Sequence, residues 1–211
     1  MEKKFWHDAW RNRQIGFHRS DIHPMLLRHW PERTRASGDV LVPLCGKTLD
    51  MRWLAERGHG VTGIELDEGA IREFFTEWGI EPDCSDSPLS CSAEGISLLA
   101  MDFFEYRPSR RFPYFYDRAA LVALPHSMRG DYLARLAELV ESGGEGLLIT
   151  FEYDQGAMDG PPFSVPEQEV RGQRWFEVER LERSDVTASH PGLVQRGALR
   201  LVEVCYWLRR L

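Results

Sequence analysis

The stretch Asp39–Phe75, DVLVPLCGKTLDMRWLAERGHGVTGIELDEGAIREFF, constrains this chain more than any other. Val40-Leu-Val42 is an unbroken apolar run suited to a strand buried on both faces. A short loop follows, then a helix from Thr48 or Leu49 to Gly58, where glycine suits the residue just past a helix end. Gly60–Ile64 reads as a second strand and ends at an acid, Glu65. Asp67 then caps a helix carrying Ile71, Phe74, Phe75 and Trp78 and stopping at Gly79. Strand, loop, helix, strand, acid, helix is the opening unit of a nucleotide-binding α/β fold.

In that unit the loop after the first strand holds one end of a ligand, and the acid after the second holds a ribose. Glu65 stands about 20 residues beyond Gly46, the spacing expected of a ribose-binding carboxylate. Its two oxygens can accept from both ribose hydroxyls. The loop lacks G-x-G-x-x-G, because Gly46 is its single glycine. Gly46-Lys47-Thr48 imitates the end of a phosphate-binding loop without the glycine that should precede it; position 41 is leucine. A ligand with a ribose and no phosphates fits better, and S-adenosylmethionine is such a ligand.

With 211 residues, the chain is long enough for one domain with a full core. Hydrophobic residues make up 43% and charged residues 28%, as in water-soluble globular proteins. No apolar run approaches the roughly 20 residues of a membrane span. The first residues, MEKKFWHDAWRNRQ, are too polar for a secretory signal, so a cytoplasmic location is expected. A net charge of -7 with no long basic run gives little support for nucleic-acid binding. The cysteines at 45, 84, 91 and 205 form no C-x-x-C pair, so reduced thiols are the expectation. His7, His18, His23 and His29 offer no i, i+4 pair beside a carboxylate, and no metal site is assigned.

Before the first strand, Phe5, Trp6, Ala9 and Trp10 recur at helical spacing, and Pro24–Trp30 reads as a second short helix. So many aromatics imply that residues 1–38 dock on the domain as a lid. After the opening unit, Glu81–Ala93 is rich in Ser, Pro and Asp and reads as a loop. Strands are expected at 96–100, 114–117 and 146–151, with a helix over about 127–140 and another near 166–171. Two alternating stretches, 175–181 and 199–208, then come in succession and predict an antiparallel pair. The expected fold is a single α/β domain. It is a Rossmann-like, mostly parallel seven-stranded sheet with one antiparallel strand and helices on both faces.

Four motifs together carry a resemblance. They are Trp6-x-x-x-Trp10 with Phe17-His18, PLCGKTLDMRWLAERGHGVTGIEL (Pro43–Leu66), YDRAALVALP (Tyr116–Pro125) and GPPFSV (Gly160–Val165). On these the chain resembles the bacterial branch of the thiopurine S-methyltransferase family over nearly its whole length. The resemblance implies a class I S-adenosylmethionine-dependent methyltransferase acting on the sulfur of aromatic or heterocyclic thiols. Bacterial relatives extend this to selenium and tellurium compounds. It also implies a monomer with a small-molecule substrate, and neither a nucleic-acid nor a membrane partner. Residue by residue, it places Trp10 over the cofactor, Leu44 as a backbone contact to it, Glu65 on the ribose, and Asp102 and Phe103 at the adenine. Phe17 falls near the thiol, and Arg118 at the cofactor and substrate end of the site. Arg196 is the nearest match to a second substrate-side arginine.

Each residue also has a plainer reading. Asp102 suits a helix cap, Trp6 an ordinary core aromatic, and Cys45 a small residue packed where the backbone turns. Arg118 could pair with Asp117 or Glu152. No residue stands out as a general base, so none is assigned as catalytic; a thiol ionises readily and needs little help. Two other classes compete. One is a dinucleotide-dependent oxidoreductase, which the missing glycines disfavour. The other is a methyltransferase-like ligand-binding domain without thiol turnover.

Overall fold

A computed structural model describes residues 3–34 and 37–211 of the chain. They fall into two compact units, one ending at Tyr116 and one beginning at Asp117. Positions 1, 2, 35 and 36 of the expected lid lie outside the described residues.

The first unit opens with helices α1 (Lys3–Arg11) and α2 (Pro24–Arg33). It continues through strand β1 (Val40–Pro43), α3 (Asp50–Glu56), β2 (Val61–Glu65) and α4 (Glu68–Trp78). A hairpin of β3 (Asp83–Asp86) and β4 (Leu89–Ala93) follows, then β5 (Ile96–Ala100) and β6 (Phe112–Arg118), which leads into the second unit. The strands lie in the order β3-β4-β5-β2-β1-β6. β1 pairs in parallel with β2 and β6, and β2 with β5. Their apolar side chains form the core: Val40, Leu41, Ile64, Leu98 and Phe115 are buried, with Met51 and Leu54 of α3 and Ile71, Phe74 and Phe75 of α4. Helix α4 begins and ends as its sequence dictates. The Asp67 carboxylate accepts from the Ala70 amide, and Gly79 closes the helix at φ 74°.

Helix α2 docks through Met25, Leu26 and Trp30, all buried. A buried indole N–H needs an acceptor. Trp30 Nε1 donates to His59 Nε2 at 3.1 Å. The other ring nitrogen, Nδ1, faces the Gly38 carbonyl at 2.9 Å. The buried Asp50 carboxylate ties the start of this helix to the sheet. It accepts from the His23 amide and from the Tyr116 hydroxyl, each at 2.8 Å.

The second unit contains α5 (His126–Leu139), β7 (Val140–Glu152), α6 (Glu167–Gly172), β8 (Phe176–Asp185), α7 (Pro191–Gln195) and β9 (Val202–Arg210). β9 lies between β7 and β8 and is antiparallel to both. Tyr132, Leu136, Leu147, Leu148, Val204 and Leu208 are buried here. No helix among the described residues is long and apolar enough to cross a membrane.

Two expectations are corrected. The described strands number nine rather than seven, and antiparallel pairing occurs at β3, β4, β8 and β9. The difference lies largely in the stretch expected to be a loop, which forms the β3–β4 hairpin. β3 is exposed along its whole length, so no apolar alternation marks it. Its register sets Cys84 opposite Cys91, with Cα atoms 4.1 Å apart, and the two form a disulfide. The expectation of four reduced thiols therefore fails at this pair; Cys45 and Cys205 are free and buried.

Candidate functional site

Glu65, the last residue of β2, is only 6% exposed, yet its carboxylate is surrounded by donors. Oε1 accepts from the amides of Leu66 (2.8 Å) and Asp67 (2.9 Å), and Oε2 from the Gly46 amide (2.8 Å). Burial pushes this carboxyl above its ordinary range, against the three amides, which favour the charged form. A carboxylate offers about four lone-pair sites. Backbone amides take three of those of Glu65. It has room for one donor while the loop is held as it is.

The loop over Glu65 is shaped by left-handed backbone. Leu44 has φ 46° and Gly46 φ 52°, and the Cys45 amide donates back to the Ile64 carbonyl at 3.0 Å. Leucine in that region is uncommon and strained, as at many ligand-holding turns. Two glycines permit the close approach. A Cβ on Gly63 would stand 2.7 Å from Cys45 Sγ, and one on Gly46 would stand 3.1 Å from the Trp10 ring. The turn is thus seated on β2 from one side and covered by the Trp10 ring from the other. Cys45 takes its plainer reading. Burial, then the Glu65 charge, pushes its thiol well above the ordinary range, which suits packing rather than nucleophilic chemistry.

Trp10 is 6% exposed and meets Phe17 edge-on, with centroids 5.5 Å apart; Trp6 meets the same ring at 6.0 Å. Phe17 therefore joins Trp10 beside the Gly46 turn. Polar side-chain contacts, which sequence reasoning missed, fasten the same helix. Lys3 pairs with Asp102 at 2.8 Å, His7 with Asp67 at 2.9 Å, and Arg13, just past the helix, with Glu73 at 2.7 Å. Basic residues at positions 3, 7 and 13 of one short segment were the available signal, but their partners are set by the fold.

Asp102 follows β5. It caps a short 3-10 turn by accepting from the Phe104 amide at 2.9 Å, besides pairing with Lys3. Phe103 is buried within that turn. Lys47 is a buried cation whose Nζ donates to Glu73 (2.9 Å) and Glu77 (2.6 Å) of α4. The structure thus brings Trp10, Phe17, Leu44 and Glu65 together around one turn, and ties Asp102 to the helix that bears Trp10.

In the second unit, Arg118 ends β6 and is partly exposed. It forms no salt bridge among the described residues, and both partners suggested for it are engaged elsewhere. Glu152 pairs with Arg183 at 2.8 Å. Asp117 accepts from the Tyr132 hydroxyl at 2.7 Å and from the Ala120 and Leu121 amides. The intervening Ala119 is left-handed, at φ 65°. The Gly160–Phe163 segment is an ordered loop: Phe163 donates its amide to the Val122 carbonyl at 2.7 Å, and Arg196 Nη1 donates to the Pro161 carbonyl at 2.9 Å.

Asp117 gives a pH dependence with a definite sign. Burial raises its carboxyl from 3.8 to about 6, against the hydrogen bonds from Tyr132 and the two amides. A raised carboxyl binds its proton more tightly in the folded state. Its contribution to stability is therefore full below pH 3.8 and is lost as the pH rises to about 6. The loss is on the order of 3 kcal/mol. Asp117→Asn should remove that fall. Denaturant titrations of parent and variant across the window check this, and parallel curves would refute it.

The family model described as Thiopurine S-methyltransferase (TPMT) matches residues 1–211. The thiopurine S-methyltransferase of Pseudomonas paraeruginosa is 45% identical, with 100% of each chain covered. That of Shewanella amazonensis is 44% identical, again over 100% of both. Among solved structures, the chain is similar to a Burkholderia thailandensis 1,6-didemethyltoxoflavin-N1-methyltransferase with bound S-adenosylhomocysteine. The TM-score is 0.65 at 19% identity, covering 99% of this chain and 86% of that one. That likeness speaks for the fold alone, a Rossmann-like class I methyltransferase.

Proposed function

Because this chain belongs to the thiopurine S-methyltransferase family and is an S-adenosylmethionine-dependent enzyme, we propose that its acceptors are aromatic and heterocyclic thiols. Selenium and tellurium compounds form a second, related acceptor class. The observation that carries this reading is the full-length match to relatives that bear the name.

The site chemistry supports it. The turn is built for a ribose-bearing ligand without phosphates: a buried acid with one lone pair to spare, below a glycine turn roofed by an indole. When bound, S-adenosylmethionine supplies a methyl group on a sulfonium. Glu65 then holds a ribose hydroxyl, the Leu44 backbone flanks it, and Asp102 and Phe103 border the adenine. The Trp10 face stabilises nearby positive charge by roughly 0.5–2 kcal/mol. Residues 1–38 act as a lid that excludes water, within a single methyltransferase domain. Phe17 offers an apolar edge for a flat ring, and Arg118 balances negative charge on the acceptor.

The acids of the first unit's turn region are engaged, Glu65 by amides, Asp102 by Lys3 and Asp67 by His7, and Cys45 is buried. None is free to serve as a base. A thiol that has already ionised presents no proton to remove, so such a site suits it. We read the protein as a cytoplasmic monomer that acts on small molecules.

A panel of aromatic thiols, selenite and tellurite, with mass-spectrometric detection of methylated products, tests the reading. Methylthio products should form fastest from the more acidic aromatic thiols. Tight binding of S-adenosylhomocysteine with no transfer to any member would leave a ligand-binding domain instead.

A further inference from the structure

Glu73 stands on α4, between the end of α1 and the Gly46 turn. One of its oxygens, Oε2, accepts from two cations: Arg13 Nη1 at 2.7 Å and Lys47 Nζ at 2.9 Å. Lys47 directly follows Gly46, whose amide is fixed to Glu65. Arg13 follows α1 and is set by a left-handed turn, with its amide on the carbonyl of Trp10. The Trp10 ring covers Gly46. The lid helix and the cofactor loop are therefore joined twice, once by ring contact and once through a shared carboxylate oxygen.

The two halves of the shared contact differ. The Lys47 side chain is 4% exposed and is also held by Glu77 at 2.6 Å. The Arg13 side chain is 64% exposed. The Lys47 half is a built part of the loop, whereas the Arg13 half can open when α1 lifts. Burial pushes the Glu73 carboxyl up, but the bonds from Lys47 and Arg13 outweigh it and keep the group charged.

We propose that Glu73 is a positioning residue that couples seating of the N-terminal helix to the shape of the cofactor-binding turn. Arg13 docks on the same oxygen that orients Lys47, so closing the lid tightens the Gly46 turn on Glu65. By reciprocity, a cofactor that prefers the tightened turn favours the closed lid. This rests on the reading of α1 as a lid over the cofactor.

Calorimetric titration with S-adenosylhomocysteine of the full-length parent, Arg13→Ala, Glu73→Gln and the double variant tests it. Arg13→Ala should weaken binding about threefold to fivefold, near the limit for an exposed ion pair. Glu73→Gln should weaken it about tenfold. Adding Arg13→Ala to Glu73→Gln should change affinity by less than about twofold, because the route is already cut. In the bound state, hydrogen exchange over Phe5–Phe17 should quicken in both single variants. Multiplying effects, or unchanged affinity in a folded Glu73→Gln, would overturn the coupling.

Glu77 still holds Lys47 in Glu73→Gln, which preserves the fold. If that variant nevertheless unfolds, salt decides. Added salt should weaken binding to the parent more than to Arg13→Ala, and equal salt dependence would overturn the proposal. Failure of the lid itself looks different: Trp10→Ala would then bind as tightly as the parent, and the parent's exchange would not slow on binding.

Discussion

Glu65→Ala is expected to weaken S-adenosylhomocysteine binding by about tenfold to a hundredfold, the scale of losing a hydrogen bond to a charged group. The loss has two sources. A ligand hydroxyl loses its acceptor, and the Gly46, Leu66 and Asp67 amides lose theirs. The buried Gly46 amide left bare costs about 1–3 kcal/mol of stability, so the alanine variant should also melt earlier. Glu65→Gln separates the sources. Its carbonyl can keep the Leu66 and Asp67 amides, but its NH2 group then faces the Gly46 amide, donor against donor. The turn should loosen while β2 stays intact. Unchanged calorimetric affinity in both folded variants would remove Glu65 from the site.

Arg118→Ala should lower the turnover of ionised thiols by about tenfold to a hundredfold, since a charge-assisted hydrogen bond contributes on that scale. Binding of S-adenosylhomocysteine should fall less. The side chain enters no salt bridge among the described residues, and its neighbour Asp117 is committed to Tyr132 and two amides. A guanidinium left in that state is available to an anion. The rate should follow the acceptor's own ionisation, so its pH midpoint should shift when thiols of different acidity are compared. Arg118→Lys should recover part of the rate, because it keeps the charge and loses the planar fork. An alanine variant with parental turnover on every thiol would end this assignment.

The elements that carry the candidate site were legible in the sequence, and the reason is local. A strand ending at Glu65, a cap at Asp67 and a stop at Gly79 are written in spacings of a few residues, where backbone geometry leaves little choice. All three appear where expected. The antiparallel pair near the C-terminus was readable from alternation, and β8 pairs with β9 over Phe176–Asp185. The β3–β4 hairpin was not readable. An exposed edge strand made of Asp, Cys and Ser has no buried face, and so no pattern.

By itself, the sequence determined which residues end strands, cap helices and turn tightly, because those depend on neighbours along the chain. It also determined the family, through motifs spread over its length. Only the tertiary structure decided the partners. Cys84 meets Cys91 through hairpin register. The Gly46 amide spends one lone pair of Glu65, and Glu73 receives Arg13 and Lys47 on a single oxygen. Asp117 gives its charge to Tyr132 rather than to the arginine beside it. Strand order and register bring distant residues within hydrogen-bond reach, and no local spacing encodes which of many like-charged candidates will arrive there.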